Sequence, residues 1–234
     1  MSLQILGIIP ARGGSKGIPR KNIAPLADKP MIAWTIEVAL SSPSLSRVLV
    51  TTDDQQIRDL ALALGSEAPF LRPAELANDD TPSIDVVLHV VEWLAAHENY
   101  RPDYLMLLQP TSPLRTVDDI EGAIRLANDR RCDSVVSVAE AVTHPYWMKR
   151  IASDGTLENF IAIDTKFTRR QDLPPAFGLN GAIYLVRTNS LLAERTFYPG
   201  NTLPYVMPRE RSLDIDSQWD LFLVDLVLRN RNHL

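Results

Sequence analysis

The chain of 234 residues holds a single cysteine, Cys132, so it cannot close an internal disulfide, and nothing in it points to an oxidising compartment. Basic excess is missing too: 24 Lys and Arg stand against 29 Asp and Glu, a net charge of −5. That balance argues against duplex nucleic acid as the main partner, because a phosphate backbone needs a broadly basic face. No apolar run approaches the ~20 residues that cross a bilayer, and no membrane association is expected. The opening Met1-Ser2-Leu3-Gln4-Ile5 carries neither a basic region nor a cleavage site, so it is not expected to act as a secretory signal. His144 has no partner at zinc-ligand spacing, and His89 and His97 fall in a helical pattern as surface or core residues. Repeats and low-complexity segments are absent. With 45% hydrophobic residues the chain can still bury a full core. A soluble cytoplasmic protein of one domain, residues 1–234, is the expectation.

What is there is an alternation of short apolar runs with helical patterns, the sign of βαβ units and a mostly parallel sheet. Strands are predicted at 5–10, 47–52, 104–108, 134–138 and 181–186, with a further short one at 68–71. Helices are predicted from Pro30 (stripe Ile32, Ile36, Ala39, Leu40), along Ile57 to Leu64, and from Ser83 as N-cap through Leu94. Two more are predicted at 117–128 and 216–229. Between 141 and 177 the alternation stops, and Asp154-Gly155 signals a hairpin inside a β-rich excursion. An open sheet of this kind binds ligands at the carboxyl ends of its strands.

The most informative segment follows the first strand: Ile8-Ile9-Pro10-Ala11-Arg12-Gly13-Gly14-Ser15-Lys16-Gly17-Ile18-Pro19-Arg20-Lys21-Asn22. Its glycines allow close backbone approach to a ligand, and successive backbone N–H groups make an anion-binding concavity. Arg12, Lys16, Arg20 and Lys21 add cations to an otherwise acidic chain. The physical reading is a polyphosphate cradle, against the plainer one of a basic surface loop. The spacing is neither that of a Walker A loop nor that of a dinucleotide fingerprint.

Four further segments carry polar groups at the predicted strand ends or helix starts. The loop 72–83 offers Arg72, Asn78 and Ser83, where Ser83 is equally read as a plain N-cap. Gln109-Pro110-Thr111-Ser112-Pro113-Leu114-Arg115 follows the most apolar strand, a proline-stiffened loop presenting Gln109, Thr111 and Ser112. Asp214-Ile215-Asp216 places two carboxylates on the same side of an extended segment, a donor pair suited to Mg²⁺ or Mn²⁺. Asp216 is alternatively the cap of the last helix, and Asp53-Asp54 reads as a helix cap. Arg169-Arg170-Gln171-Asp172 reads as a solvated charge run or as an anion site.

The run from Ile8 to Asn22 resembles the signature of the CMP-N-acylneuraminate synthetase family, whose members act on sialic, legionaminic and pseudaminic acids. The similarity continues through Leu108 to Arg115, Arg170 to Pro174, Asn180 to Tyr184, and Asp214-Ile215-Asp216 with Asp220-Leu221. It implies a Rossmann-like nucleotidyltransferase fold and a homodimer formed through a β-rich arm at about 141–177. It also implies transfer of CMP from CTP to an acidic nine-carbon sugar, with pyrophosphate released. By the same resemblance CTP falls to Arg12, Gly13, Gly14, Ser15, Lys16, Lys21, Asn22, Arg72 and Ser83. The sugar falls to Gln109, Thr111, Ser112, Arg170 and, at its acyl group, Phe177. The metal falls to Asp214 and Asp216, which with Arg12 and Lys21 make the catalytic set. Two rivals stand: the same chemistry on another acceptor such as Kdo, and a binding protein that keeps the fold without activity.

Overall fold

A computed structural model describes residues 3–162 and 169–230. The apolar run of β1 (Ile5–Pro10) is buried almost throughout, as a strand inside a parallel sheet must be. Its parallel neighbours are β4 (Arg47–Thr51) and β5 (Tyr104–Leu107). Beyond β5 lies β9 (Phe177–Arg187), antiparallel both to β5 and to β6 (Ser134–Glu140), and β10 (Thr202–Val206) runs parallel to β6. The order is therefore β10-β6-β9-β5-β1-β4. All strands but β9 point one way, so their carboxyl ends gather along one rim.

Helices cover both faces. Ile32 and Ile36 of α1 (Met31–Leu40), Ile57 and Ala61 of α2 (Gln55–Ala63), and Ile120 and Ile124 of α4 (Val117–Arg130) pack into one apolar layer. Val87, Val90 and Leu94 of α3 (Ser83–Glu98) and Leu191 of α5 (Thr188–Glu194) fill the other. A smaller third cluster sets Val224 and Leu228 of α6 (Gln218–Arg229) against Ile18, Leu26, Leu114 and Ile215. Two short hairpins stand outside the main sheet. One pairs β2 (Pro25–Leu26) with β3 (Lys29–Pro30). The other, β7 (Lys149–Ile151) with β8 (Leu157–Asn159), turns through Asp154-Gly155 with Gly155 at φ +84°. It forms part of the 141–177 stretch, of which residues 163–168 lie outside the described residues. Among the described residues no helix is long and apolar enough to cross a membrane.

Local sequence signals and the structure diverge in several places. Ser83 is the first residue of α3 rather than its cap: Pro82 holds the N-cap position and no side chain caps the end. Asp216 does not cap α6 either, because Ser217 does, in a capping box with Asp220, and the helix begins at Gln218. Residues 68–71 form no strand; a single bridge, Glu67 to Leu49, is all that pairs there. Leu40 is exposed, not part of the buried stripe. Strand β9 begins before the predicted 181–186, since its exposed first residues, Phe177 to Leu179, are paired by the backbone of β6. Neither β10 nor α5 carries a clear pattern in the sequence.

Two polar devices organise the interior. Gly181, at φ +74°, sits beside a register break between β6 and β9. There the Ser137 hydroxyl donates to Asn180 Oδ1 at 2.6 Å and accepts from the Ile183 amide at 2.7 Å. Asn180 also accepts from the Ala182 amide and donates to Ser212. The second device is Arg115, wholly buried, whose guanidinium donates to the Ala182 carbonyl at 2.6 Å and to Thr35 Oγ1 at 3.0 Å. It ties the loop after β5 to β9 and to α1. Burial pushes its pKa down to about 9.

Replacing Ser137 with Ala strands the buried Ile183 amide and removes one of the two donors to Asn180 Oδ1, leaving the Ala182 amide. Ser137→Ala is expected to cost about 1–3 kcal/mol, read as a lower urea midpoint with an unchanged m-value; an unchanged midpoint would contradict this account.

Candidate functional site

The loop after β1 is held in place mostly by acidic residues at the end of β4. The Gly13 amide donates to Asp53 Oδ1 at 3.0 Å. Asp54 caps α2 through the Gln56 and Ile57 amides and takes Arg20 Nη2 at 3.2 Å. A Cβ on Gly13 would lie 2.9 Å from the Asp54 side chain, so the approach that lets Asp53 reach the amide needs glycine there. Asn22 is buried and donates to the Arg12 carbonyl at 2.9 Å. The loop is therefore fixed by neighbours that are not themselves cationic.

The loop forms one wall of a cleft of about 280 Å³ lined by Arg12, Gly14, Ser15, Lys21, Asn22, Arg72, Asn78, Asp79, Ser83, Gln109 and Thr111. The cleft opens at the carboxyl ends of β1, β4 and β5. Arg72 reaches it from a buried position, with Nη2 3.7 Å from Asp53 Oδ1 and Nε unpartnered among the described residues. Burial lowers its pKa, against the pull of Asp53. An incompletely paired guanidinium of this kind is set to meet a polar ligand group. Lys16 is exposed on the rim and pairs with Asp79. Gly13 serves the wall from behind.

Below the cleft runs the segment 214–216. Ile215 is fully buried and its amide donates to the Thr111 carbonyl at 2.9 Å, with Asp214 half-buried on one side of it and Asp216 exposed on the other. Lys21 Nζ donates to the Ile215 carbonyl at 2.9 Å and to Asp216 Oδ1 at 3.2 Å. Gly17 also presses on this segment: a Cβ there would lie 2.5 Å from the Asp216 carbonyl oxygen. Asp220 accepts from the Asp216 amide, and Arg211 pairs in bidentate fashion with the buried Asp119 of α4, so both flanks of the segment are pinned. Burial raises the pKa of Asp214, helped by the charge of Asp216 and opposed by the Thr111 hydroxyl. Asp214 Oδ1 is buried with no partner among the described residues. Among those residues, too, no group of three or more His, Cys, Asp or Glu side chains forms a metal cage. Two hard oxygen donors, one of them orphaned, fit a magnesium-type ion that completes its shell with water and phosphate oxygens.

Gln109 is shared by the cleft and two neighbouring cavities. One, of about 390 Å³, contains Glu140, Asn180, Gly181, Tyr184 and Asp214. The other, of about 310 Å³, is aromatic: Tyr184 with Phe197 and Tyr198, beside Ser83 and Arg195. These aromatic residues give little sequence signal beyond the Asn-Gly-Ala-Ile-Tyr run, because Phe197 and Tyr198 lie in a turn without periodicity. Ser112 is buried and donates to the Asn180 carbonyl at 3.4 Å, behind the wall. Arg170 and Phe177 lie apart, in a cavity of about 410 Å³ with His144 and Pro174, where Arg170 Nη2 is 3.5 Å from Glu140 Oε1. In this chain they are not brought against Gln109.

A family model described as cytidylyltransferase matches residues 6–197. The chain is 35% identical over 235 residues to the CMP-N,N'-diacetyllegionaminic acid synthase of Legionella pneumophila, covering 97% of each. It is also 35% identical over 234 residues to the N-acylneuraminate cytidylyltransferase of Escherichia coli, where the match spans 99% of this chain but 54% of that protein. In fold it is similar to CMP:2-keto-3-deoxy-manno-octonic acid synthetase complexed with CTP, with a TM-score of 0.71 at 20% identity, covering 97% of this chain and 99% of that one.

The raised pKa of Asp214 has a sign: neutral Asp214 favours the fold, a contribution present below the ordinary carboxylate pKa and lost as pH rises through the raised one. Asp214→Asn is therefore expected to raise the melting temperature of the ligand-free protein at pH 8 by about 2–4 °C. The gain should shrink as pH falls toward about 4. Thermal unfolding across that range checks it, and a lower melting temperature at pH 8 would count against a buried charge that opposes the fold.

Proposed function

Because the chain belongs to the cytidylyltransferase family, we propose that it transfers CMP from CTP to the anomeric hydroxyl of a nine-carbon acidic sugar of the sialic, legionaminic or pseudaminic type, with release of pyrophosphate. It is a nucleotidyltransferase. The observation that carries the acceptor and nucleotide assignment is the gathering of Arg12, Ser15, Lys21, Arg72, Ser83, Gln109 and Thr111 on one cleft.

In this reading the sugar hydroxyl oxygen attacks the α-phosphorus, the bond to the pyrophosphate oxygen breaks, and the hydroxyl proton leaves to solvent. Transfer of this kind rests on in-line placement and neutralisation of charge, with little covalent work for the protein. Arg12, Lys16 and the amides around Gly13, Gly14 and Ser15 hold the β- and γ-phosphates. Arg72 and Ser83 take the nucleoside. With no capping duty, Ser83 has a free role at the cleft. Asn22 keeps Arg12 in place through its carbonyl. A magnesium or manganese ion on Asp214 and Asp216 would supply charge neutralisation at the triphosphate, and Lys21 orients Asp216 for it. Gln109 and Thr111 face the acceptor, Ser112 supports them from behind, and the aromatic cavity at Tyr184, Phe197 and Tyr198 suits an apolar acyl substituent.

Arg170 and Phe177 belong to the arm, and they serve the sugar carboxylate and acyl group only when the arm closes on a cleft, its own or that of a second copy. Val142, Ile151, Leu157 and Phe160 are exposed there, which favours a homodimer. Ile151→Glu is then expected to shift the protein to monomer in sedimentation; an unaltered dimer would move the interface elsewhere. We assign its work to the cytoplasm, where the buried Cys132 stays reduced.

Pyrophosphate release from CTP and Mg²⁺ against N-acetylneuraminic, legionaminic and pseudaminic acids, with Kdo as control, tests the reaction. Turnover is expected on one nine-carbon acid. Arg12→Ala and Asp216→Asn should fold normally and lose about 10²–10³ in rate. Near-normal rates in both would remove the residue assignment.

A further inference from the structure

Asp79 lines the main cleft, yet no step above uses it. Its two carboxylate oxygens are divided between the two cations of the loop: Oδ1 lies 2.5 Å from Arg12 Nη1, and Oδ2 lies 2.6 Å from Lys16 Nζ. These are short, charge-assisted contacts. Among the described residues neither cation has another carboxylate within ion-pair reach, since Asp53 serves Arg72, Asp54 serves Arg20 and Asp216 serves Lys21. One anion bridging two cations has the charge pattern of a bound pyrophosphate. Lys16, and then Arg12, hold the Asp79 carboxyl below the usual range.

Asp79 sits on a loop made to give way. The turn around it is closed on itself: Asn78 Nδ2 and Thr81 Oγ1 both donate to the Glu75 carbonyl, and the Thr81 amide donates to the Asn78 carbonyl. The residues on either side of Asp79, Asn78 and Asp80, are polar and exposed, and a 3-10 turn at Ala74–Leu76 precedes them. Exposed ion pairs are weak enough to exchange for a multivalent anion.

We propose that Asp79 is a displaceable counter-anion: in the empty cleft it holds Arg12 and Lys16 in the place of the terminal phosphates, and a polyphosphate must take both cations from it. This rests on the reading of the loop as a polyphosphate cradle. Because one carboxylate spans both cations, the exchange favours ligands that also span them, a triphosphate or pyrophosphate. A nucleoside monophosphate, with no phosphate at that end, leaves the bridge intact. The returning carboxylate also opposes retention of pyrophosphate after transfer. Asp79 thereby sets how strongly the cleft discriminates by phosphate number.

Calorimetric titration of the full chain with inorganic pyrophosphate and with CMP, for the wild type, Asp79→Asn, Asp79→Glu and Arg12→Ala, tests this. Asp79→Asn is expected to bind pyrophosphate about three- to tenfold more tightly while CMP affinity stays within about twofold; Asp79→Glu, which keeps the charge, should stay near wild type. Pyrophosphate binding that is unchanged or weaker in Asp79→Asn overturns the proposal, as does a parallel rise in CMP affinity, which would mark a general structural effect. Arg12→Ala separates the premise from the inference. If it weakens pyrophosphate while Asp79→Asn does not strengthen it, the cradle stands and the counter-anion role alone falls. If Arg12→Ala leaves pyrophosphate binding untouched, the cradle reading falls and takes the proposal with it.

Discussion

A guanidinium with no carboxylate partner among the described residues sits at the junction of three elements, and the placement of the loop after β5 depends on it. Arg115 directs its donors to the Ala182 carbonyl of β9 and the Thr35 hydroxyl of α1, and its own loop leads back to Gln109 and Thr111. Burying a charge is costly, and burial pushes its pKa down to about 9 against the pull of Asp119. What the arrangement secures is position. Gln109, common to the cleft and to both adjoining cavities, cannot be placed independently of β9, because the same arginine fastens both.

The acidic composition and the cationic loop are two sides of one design. Asp53, Asp54, Asp79 and Asp216 each meet a cation of the cleft or its loop: Arg72, Arg20, the pair Arg12 and Lys16, and Lys21. In the absence of a ligand, like-charged side chains crowded on one rim would repel, and the carboxylates hold them apart at defined places. They differ in permanence. Asp53 and Asp54 also bind backbone amides and so belong to the scaffold, whereas Asp79 and Asp216 have exposed side chains and leave room for a ligand or an ion to compete.

Much of this can be read from the residues. The alternation of apolar runs and helical stripes points to the mostly parallel sheet, and Gly13-Gly14 with its flanking cations marks the rim where the cleft lies. The capping assignments are less legible, because Ser83, Asp216 and Ser217 are all capable caps and the backbone selects by a single residue; only the structure tells that Pro82 and Ser217 occupy those positions. The direction of β9 has no signature in its sequence, since a buried apolar run looks the same whichever way it is paired. The role of Asp79 is hidden for another reason: it lies in a loop without period, and its meaning comes from Arg12 and Lys16, far earlier in the chain. The aromatic cavity likewise joins Tyr184 to residues in an irregular turn.

The contact between Lys21 and the Ile215 carbonyl spans 194 positions in sequence, and Gly17 meets the backbone of Asp216 across a similar distance. Closing so long a loop carries an entropic cost, and contacts this far apart in sequence slow folding. The cationic loop and the segment carrying Asp214 thus come from opposite ends of the chain and meet through these contacts and the small apolar cluster of Ile18, Leu26, Leu114 and Ile215. A site drawn from both ends of one chain is also a check on its integrity: a product cut short before residue 214 keeps the cations of the early loop and lacks the carboxylate that Lys21 meets.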